Sequence, residues 1–494
     1  MASEIRTVGR HTLVYGVGVV ASKMVSFIML PVYTRFLTTA DYGVLELLGT
    51  TIDIIGMIGG IGLAAGVFKY YAEITGKAER RELISTATLG SSGLSILIAS
   101  LGLIASPVLT RMLFGNTLSP LYFRLFFLIY FFQNIGNLSL IFVQAEERSR
   151  LFVTLNVAKL FVTLTLTIWL VVSLRWGIRG VLVANLCATA AFSTGLAVYT
   201  FRHVGFRFSR EKFIRLSRFG APLALWTIGS FILTFSDRYF LNHYAGASAV
   251  GVYSLAYKFS FLLSAFAVAP FSQIWEPRRF VIANQPDAAE IYRRMFVYLN
   301  LTLFVGSIVI ALFVKDFLTV LVAPAFVPAY GVVPLLLVTT IIQQWTWYSN
   351  IGLYLKNATH LYGVSAVIGV IAALALNMLL IPRYGMFGAA WATVGAYVIR
   401  FIPVYIFSQA KYHVTYSWGK VGELALIFAG VLLVRHFADG LPLAISLGIS
   451  LTVLAIVGAL VFWRLLDTDE RAFIRAVIRR PLSFRALPVA QDVT

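Results

Sequence analysis

Residues 219–261 have the sequence FGAPLALWTIGSFILTFSDRYFLNHYAGASAVGVYSLAYKFSF, and this stretch decides the fold. It is apolar for long enough to cross a bilayer twice, since a spanning helix needs roughly 20 mostly apolar residues. It nevertheless places Asp237 and Arg238 at the end of one apolar segment and Lys258 inside the next. A charge near the bilayer centre costs about 2.5–3.5 kcal/mol on insertion scales, so such side chains usually face water or a partner. The stretch therefore predicts a membrane protein with a polar interior, and transport is the first function to test.

The composition of the whole chain agrees with that class. Of the 494 residues, 59% are hydrophobic and only 12% are charged, which is typical of polytopic membrane proteins. The single cysteine, Cys187, excludes a disulfide within the chain and a cysteine-based metal site. The net charge is +19, but the basic residues are spread between apolar segments rather than gathered on one module. Nucleic acid is therefore not an expected partner.

About fourteen apolar segments are long enough to cross a membrane, which predicts an all-α polytopic protein. They are 11–34, 43–68, 84–106, 121–144, 152–173, 179–200, 219–241, 249–273, 295–314, 329–353, 361–381, 386–408, 421–438 and 442–463. An even number of crossings puts both termini on one side, and most of the 40 Lys and Arg residues fall in loops on that side. The positive-inside rule then predicts cytoplasmic termini and a multi-pass protein of the cytoplasmic (inner) membrane.

Matches between distant positions indicate an internal repeat. Gly43-Val44 and Gly251-Val252 lie 208 positions apart, while Gln133 and Gln343 lie 210 apart. Transporter folds are often built from repeated halves. We therefore predict two pseudo-symmetric six-helix lobes around a central cavity, followed by two extra helices. The predicted divisions are an N-lobe at 1–205, a basic cytoplasmic linker at 206–218, a C-lobe at 219–412, two further helices at 413–464, and an interfacial helix with a tail at 465–494.

One pair of motifs resembles a known family. The order DRYFL at 237–241, a short glycine-containing loop and VGVYSLAYK at 250–258 resembles the start of the second lobe in polysaccharide flippases of the multidrug/oligosaccharidyl-lipid/polysaccharide exporter superfamily. The resemblance covers nearly the whole chain. It implies a flippase, not an enzyme, that moves undecaprenyl-diphosphate-linked oligosaccharide across the cytoplasmic membrane by alternating access. Such a protein serves the biosynthesis of O-antigen, capsule or exopolysaccharide.

The same resemblance sets the expected partners. They are the lipid-linked oligosaccharide itself and membrane lipids, with a polysaccharide polymerase and glycosyltransferases as further candidates. No cofactor is expected beyond a coupling cation, Na⁺ or H⁺.

Charged residues inside the predicted helices are candidates for binding the substrate. Lys23 and Lys258 come from corresponding regions of the two lobes, and we predict that they line the cavity and attract an anionic head group. Asp53 lies on a polar stripe with Glu46, and an ion pair between Lys23 and Asp53 that merely joins neighbouring helices is the alternative. Arg400 is predicted to reach a lipid phosphate or, alternatively, a neighbouring carbonyl.

Asp237, Asn377 and Thr393 are the candidates for coupling to a cation. Carboxylate, amide and hydroxyl oxygens are hard ligands that suit a light cation, and the resemblance implies sodium at the corresponding helices of the second lobe. A local salt link between Asp237 and Arg238 at the outer interface is the alternative. The chain departs from the family pattern at Ile381, one turn past Asn377, where a second carboxylate would be expected. No other metal is predicted.

Two rival functions remain at this stage. A multidrug cation antiporter of the same superfamily has the same architecture, but lysines in the cavity disfavour a cationic substrate. A membrane glycosyltransferase or O-antigen polymerase usually needs carboxylates at the membrane surface and large outer loops. This chain has 21 acidic residues and short outer loops, so the enzyme is the weaker alternative.

Overall fold

The computed structural model describes residues 27–60, 62–465 and 471, and no β-strand occurs in that part of the chain. The helices are α1 Leu30–Phe36, α2 Thr39–Gly60, α3 Leu63–Glu73, α4 Lys77–Phe114, α5 Leu121–Ala145, α6 Ser149–Ile168, α7 Gly177–Val204, α8 Arg210–Leu263, α9 Ala269–Ile282, α10 Ala288–Leu321, α11 Val333–Ser349, α12 Ile351–Leu355, α13 Thr359–Lys411, α14 Trp418–Phe437 and α15 Leu443–Leu460. π-helical turns extend α6, α8 and α15, and a 3₁₀ helix, Pro324–Gly331, precedes α11.

Many of these helices are long enough to span a membrane. Among the described residues, nine helices have the required length and hydropathy, or ten if the bent pair Pro324–Gly331 and Val333–Leu355 is one span. The helical runs Arg210–Ile282 and Thr359–Lys411 have 73 and 53 residues, far more than the roughly 20 that one crossing needs. Each run is broken at a glycine with positive φ, Gly246 (80°) or Gly385 (54°), and so makes two crossings. An all-α polytopic membrane protein is confirmed.

The predicted boundaries differ from the structure at a few places. The predicted linker 206–218 is shorter than expected because α8 begins at Arg210, where Ser209 caps the helix by accepting a hydrogen bond from the Lys212 N–H. The predicted first span, 11–34, lies mostly outside the described residues, as does the predicted interfacial helix and tail at 465–494.

Helix α2 begins with a pair of reciprocal hydrogen bonds. The Thr38 N–H donates to Asp41 Oδ2 at 3.0 Å, and the Asp41 N–H donates to Thr38 Oγ1 at 3.1 Å. This arrangement satisfies two backbone donors that a helix N-terminus leaves unpaired. The Thr39 hydroxyl instead lies 2.6 Å from the Ser248 hydroxyl, across the boundary between the two predicted lobes.

The two halves of the chain cross closely where α2 meets the second segment of α8. A Cβ atom on Gly43 would lie 1.8 Å from the Ala247 carbonyl oxygen, and one on Gly251 would lie 2.0 Å from the Thr39 carbonyl oxygen. The 208-residue offset relates Gly43 to Gly251 and Thr39 to Ala247, so the two contacts are equivalent. A contact that maps onto itself in this way is the signature of a two-fold relation. The geometry therefore supports the predicted repeat.

We expect Gly43→Ala to open this crossing, because overpacking costs about 1–3 kcal/mol and each 1.4 kcal/mol is about a tenfold change in population. The measurement is the disulfide yield between cysteines at Thr39 and Ser248, with Cys187 replaced by serine. Gly49→Ala is the matched control, because a Cβ on this glycine of the same helix meets nothing within 4 Å. Equal disulfide yields in the two variants would contradict the prediction.

The two extra helices are joined to the second half by a buried polar cluster. Arg435 of α14 donates to Asp316 of α10 at 3.0 Å, and the Ser446 hydroxyl of α15 donates to the same carboxylate at 2.9 Å. Lys315 and Asp439 form a second ion pair at 2.8 Å. These contacts fix the α14–α15 hairpin against α10, as expected for polar side chains that join helices in a membrane.

Candidate functional site

Lys258 lies at the boundary between the two halves of the chain. Its Nζ is 3.4 Å from Glu46 Oε1, and the two side chains are 24% and 29% exposed. Tyr42 lies one turn before Glu46 on α2, and its ring centre is 5.7 Å from the same nitrogen. Because residues four apart share a helix face, both groups reach Lys258 together. The site is therefore a partly exposed ion pair between helices of the two halves.

This ion pair was only partly predicted. Lys258 has no acidic residue on its own helix face, which favoured exposure to a cavity. Its side chain is 24% exposed, and its position in a cavity stays a prediction. The acidic partner comes from α2, where Glu46 was recognised only as part of a polar stripe. The signal was present, because a carboxylate in an apolar helix needs a partner or water.

Lys23 and Asp53 were also predicted to line the cavity. Lys23 lies outside the described residues, so its predicted pairing with Asp53 stays a prediction. Asp53 lies two turns beyond Glu46 on α2 and is exposed. Within the described part of the chain, it forms no ion pair.

Asp237 and Arg238 are both fully buried. Arg238 Nη1 donates to Asp237 Oδ1 at 2.9 Å and to the Thr234 carbonyl at 3.1 Å, while the Tyr253 hydroxyl donates to Asp237 Oδ2 at 2.7 Å. The Arg238 guanidinium lies 4.2 Å from the ring centre of Tyr257. The salt link considered from the sequence is present and is buried among helices of the second half. Its predicted position at the outer interface stays a prediction.

The three candidates for cation coupling lie close together. Thr393 Oγ1 is 3.4 Å from Asp237 Oδ2, and the Asn377 amide donates to Ser236 Oγ at 3.3 Å. The Asn377 side-chain oxygen is buried without a hydrogen-bond partner. The Asp237 carboxylate, however, already accepts from Arg238 and Tyr253, and the guanidinium supplies the positive charge that a cation would supply.

No group of three or more His, Cys, Asp or Glu side chains suited to a metal is found in the described residues. In this arrangement the Asp237 carboxylate does not fit a sodium ion because it is already paired with Arg238, and coupling by Na⁺ or H⁺ remains a prediction from the sequence.

Arg400 lies in a separate polar pocket of about 530 Å³ inside the second half. Its Nη2 donates to the Tyr362 hydroxyl at 3.4 Å. Its side chain lies over Gly369, where a Cβ would be 3.0 Å from Arg400 Cβ. Lys258 was also predicted to bind the substrate, but it does not line this pocket. The structure therefore does not bring Lys258 and Arg400 into one pocket.

An all-α bundle with a polar site between its two halves is an architecture found in many membrane transporters. Solved structures share it. The similarity to the lipid II flippase MurJ, in an inward closed conformation, has a TM-score of 0.73 at 12% identity and covers 92% of this chain and 100% of that one. The similarity to an inward-facing multidrug resistance MATE family transporter of the MOP superfamily has a TM-score of 0.60 at 16% identity and covers 84% of this chain and 96% of that one. At these identities the similarity shows the fold.

The chain belongs to the polysaccharide biosynthesis protein family, whose sequence model matches residues 8–282. It is also 27% identical over 212 residues to an uncharacterized membrane protein of Methanocaldococcus jannaschii. That match covers 40% of this chain and 39% of the relative, so the chain matches about two fifths of that relative's length. The predicted resemblance to polysaccharide biosynthesis proteins is confirmed.

Proposed function

We propose that the protein is a flippase that moves an oligosaccharide linked to undecaprenyl diphosphate across the cytoplasmic membrane. The observation that carries the proposal is Lys258, a partly exposed cation between the two halves, held there by Glu46. Membership of the polysaccharide biosynthesis family and a fold shared with the lipid II flippase MurJ support it. A polymerase and glycosyltransferases of the same biosynthesis are the proposed protein partners.

The chemistry of Lys258 suits an anionic head group. A diphosphate loses its hydration as it enters the membrane, and an unpaired charge there is very costly. Lys258 offers the diphosphate a positive charge at the boundary between the halves. The diphosphate must compete with Glu46 for that charge, so binding weakens one of the contacts that join α2 to α8. Substrate binding and separation of the halves are coupled by this exchange of partners.

The predicted topology assigns the contact between Thr39 and Ser248 to one side of the membrane. With cytoplasmic termini, α2 begins at the outer face of the membrane, and so the Thr39–Ser248 contact and the glycine crossing lie on that side. We propose that this contact closes the protein to the outside. Loss of the Glu46 contact would favour the opposite state, which is the step required for alternating access.

A multidrug cation antiporter is the second candidate, and the exposed carboxylate of Asp53 is the observation that favours it. Its substrate would be an organic cation attracted to Asp53 and Glu46. Binding of such a cation, without binding of an anionic lipid, would select this alternative.

The test is a sidedness assay in proteoliposomes that contain the full chain. A radiolabelled lipid-linked oligosaccharide is placed in one leaflet, and its appearance in the other is measured with and without Na⁺ and H⁺ gradients. We expect translocation of the intact lipid. No translocation above that of protein-free liposomes would contradict the proposal, and a product of changed mass would indicate an enzyme.

A further inference from the structure

The pocket that contains Arg400 has the size and lining of a site for a small polar ligand. Its volume of about 530 Å³ lies within the roughly 300–1,000 Å³ of small-molecule sites. Three amide side chains, Gln273, Gln343 and Gln344, line it together with Trp347 and Glu276. Amides both donate and accept hydrogen bonds, as neighbouring hydroxyl groups on a ligand would require.

Trp347 is fixed in position at this pocket. Its Nε1 donates to Glu276 Oε1 at 3.0 Å, and its ring contacts Phe271 edge to face at 6.5 Å between ring centres. A fixed indole presents an apolar surface beside the polar groups, which suits a ligand with both an apolar face and polar edges. A sugar ring has this character, because its C–H groups form faces and its hydroxyl groups form the edge.

Most of the polar lining of the pocket is uncharged. The lining contains one carboxylate, from Glu276, and one guanidinium, from Arg400. Glu276 is also paired with Arg279, whose Nη2 lies 3.8 Å from Glu276 Oε1, so the assignment of a sugar rests on the amides and the indole rather than on the charges. The remaining polar lining consists of amides and hydroxyls, which recognise a neutral polar ligand.

The described residues at the equivalent place in the first half line a smaller space. Gln133, which corresponds to Gln343, lines a pocket of about 30 Å³ together with Lys159. The position 210 residues after Lys159 is Gly369, and the Arg400 side chain lies against this glycine. Among the described residues, the polar pocket of the second half is therefore the larger of these two, at about 530 Å³.

We propose that the second-half pocket beside Trp347 binds a sugar of the lipid-linked substrate, while Lys258 binds the charged head group. This inference rests on the proposed function, and it divides recognition between two places. The pocket decides which glycan is accepted, and Lys258 recognises the diphosphate common to all such lipids.

The test uses the full chain in nanodiscs and a matched set of lipid probes. The reference probe is undecaprenyl diphosphate without sugar, and the others carry one hexose, N-acetylhexosamine, 6-deoxyhexose or hexuronate. We expect at least one glycosylated probe to bind the natural sequence more tightly than the reference probe does. Trp347→Ala should remove that advantage, with a loss of about tenfold in affinity for this probe and no change for the reference.

Two further variants keep the result interpretable. Gln343→Met, of similar volume, should weaken the same advantage without removing the indole. Trp391→Ala is the matched control, because this tryptophan is exposed and does not line the pocket. Thermal unfolding of each variant separates loss of binding from loss of folding.

An advantage of the glycosylated probe that persists in folded Trp347→Ala and Gln343→Met would overturn the inference. So would equal binding of all probes, including the reference, to the natural sequence, and that outcome would leave the proposed flippase function intact. Failure of every probe to bind the natural sequence would instead overturn the proposed function itself.

Discussion

Asp237→Asn is expected to lower the free energy of unfolding by about 3–5 kcal/mol, because it leaves a buried guanidinium without its counter-charge. Arg238 is fully buried, and among the described residues Asp237 is the only acidic side chain within ion-pair distance of it. Asparagine keeps the size of the side chain, so packing against Tyr253 and Thr393 is retained. The measurement is equilibrium or thermal unfolding of the purified protein in detergent.

A double variant separates the charge effect from a packing effect. Removing the guanidinium as well leaves no unpaired buried charge, so Asp237→Asn with Arg238→Met should recover most of the lost stability. Glu73→Gln is the control at an exposed ion pair with Arg215, where about 1 kcal/mol or less is expected. A double variant as unstable as Asp237→Asn alone would show that the buried charge is not the cause.

The spanning helices could be predicted from the sequence because the bilayer requires long apolar runs. The ends of the helices could not, because outside the apolar region polar residues are also compatible with a helix. Helix α4 begins at Lys77, well before the predicted span at 84–106, and its first turn is charged. The break at Gly246 was predicted as a short loop, and its positive φ gives the physical reason for glycine there.

The candidate site was predicted less completely, because its contacts join residues far apart in the chain. Asp237, Asn377 and Thr393 were grouped through a family resemblance, and they do lie together. Arg238, adjacent in the chain, proved to dominate the surroundings of Asp237. Local spacing does not reveal which neighbouring group reaches a carboxylate after the helices pack.

The sequence did not predict the ion pairs between helices that are far apart in the chain. Glu46 and Lys258 meet only because Gly43 and Gly251 allow α2 and α8 to cross closely. Arg435 and Asp316 meet only because α14 packs in one register against α10. Hydropathy contains no information about such registers, so a single sequence cannot specify these pairs.

Lys258→Gln is expected to reduce translocation of the lipid-linked oligosaccharide by about 10- to 100-fold, because a hydrogen bond to a charged group contributes about 1.5–3 kcal/mol. The rate is measured in the proteoliposome sidedness assay. Lys315→Gln is the matched control, since Lys315 and Asp439 form an ion pair of similar exposure, 22% and 28%, that includes neither Lys258 nor Glu46. Equal rates for the two variants would remove Lys258 from the translocation pathway.

Glu46→Gln should strengthen binding of the diphosphate, whereas Lys258→Gln should weaken it. This difference in sign tests directly whether the diphosphate and Glu46 compete for Lys258. Glutamine retains the size of the side chain but no longer competes as an anion for the Lys258 ammonium. The affinity for undecaprenyl diphosphate should therefore rise, while the disulfide yield between cysteines at Thr39 and Ser248 should fall as the halves separate more readily. If the ion pair were merely structural, Glu46→Gln and Lys258→Gln would both lower the affinity for undecaprenyl diphosphate, because either substitution would disturb the same packing.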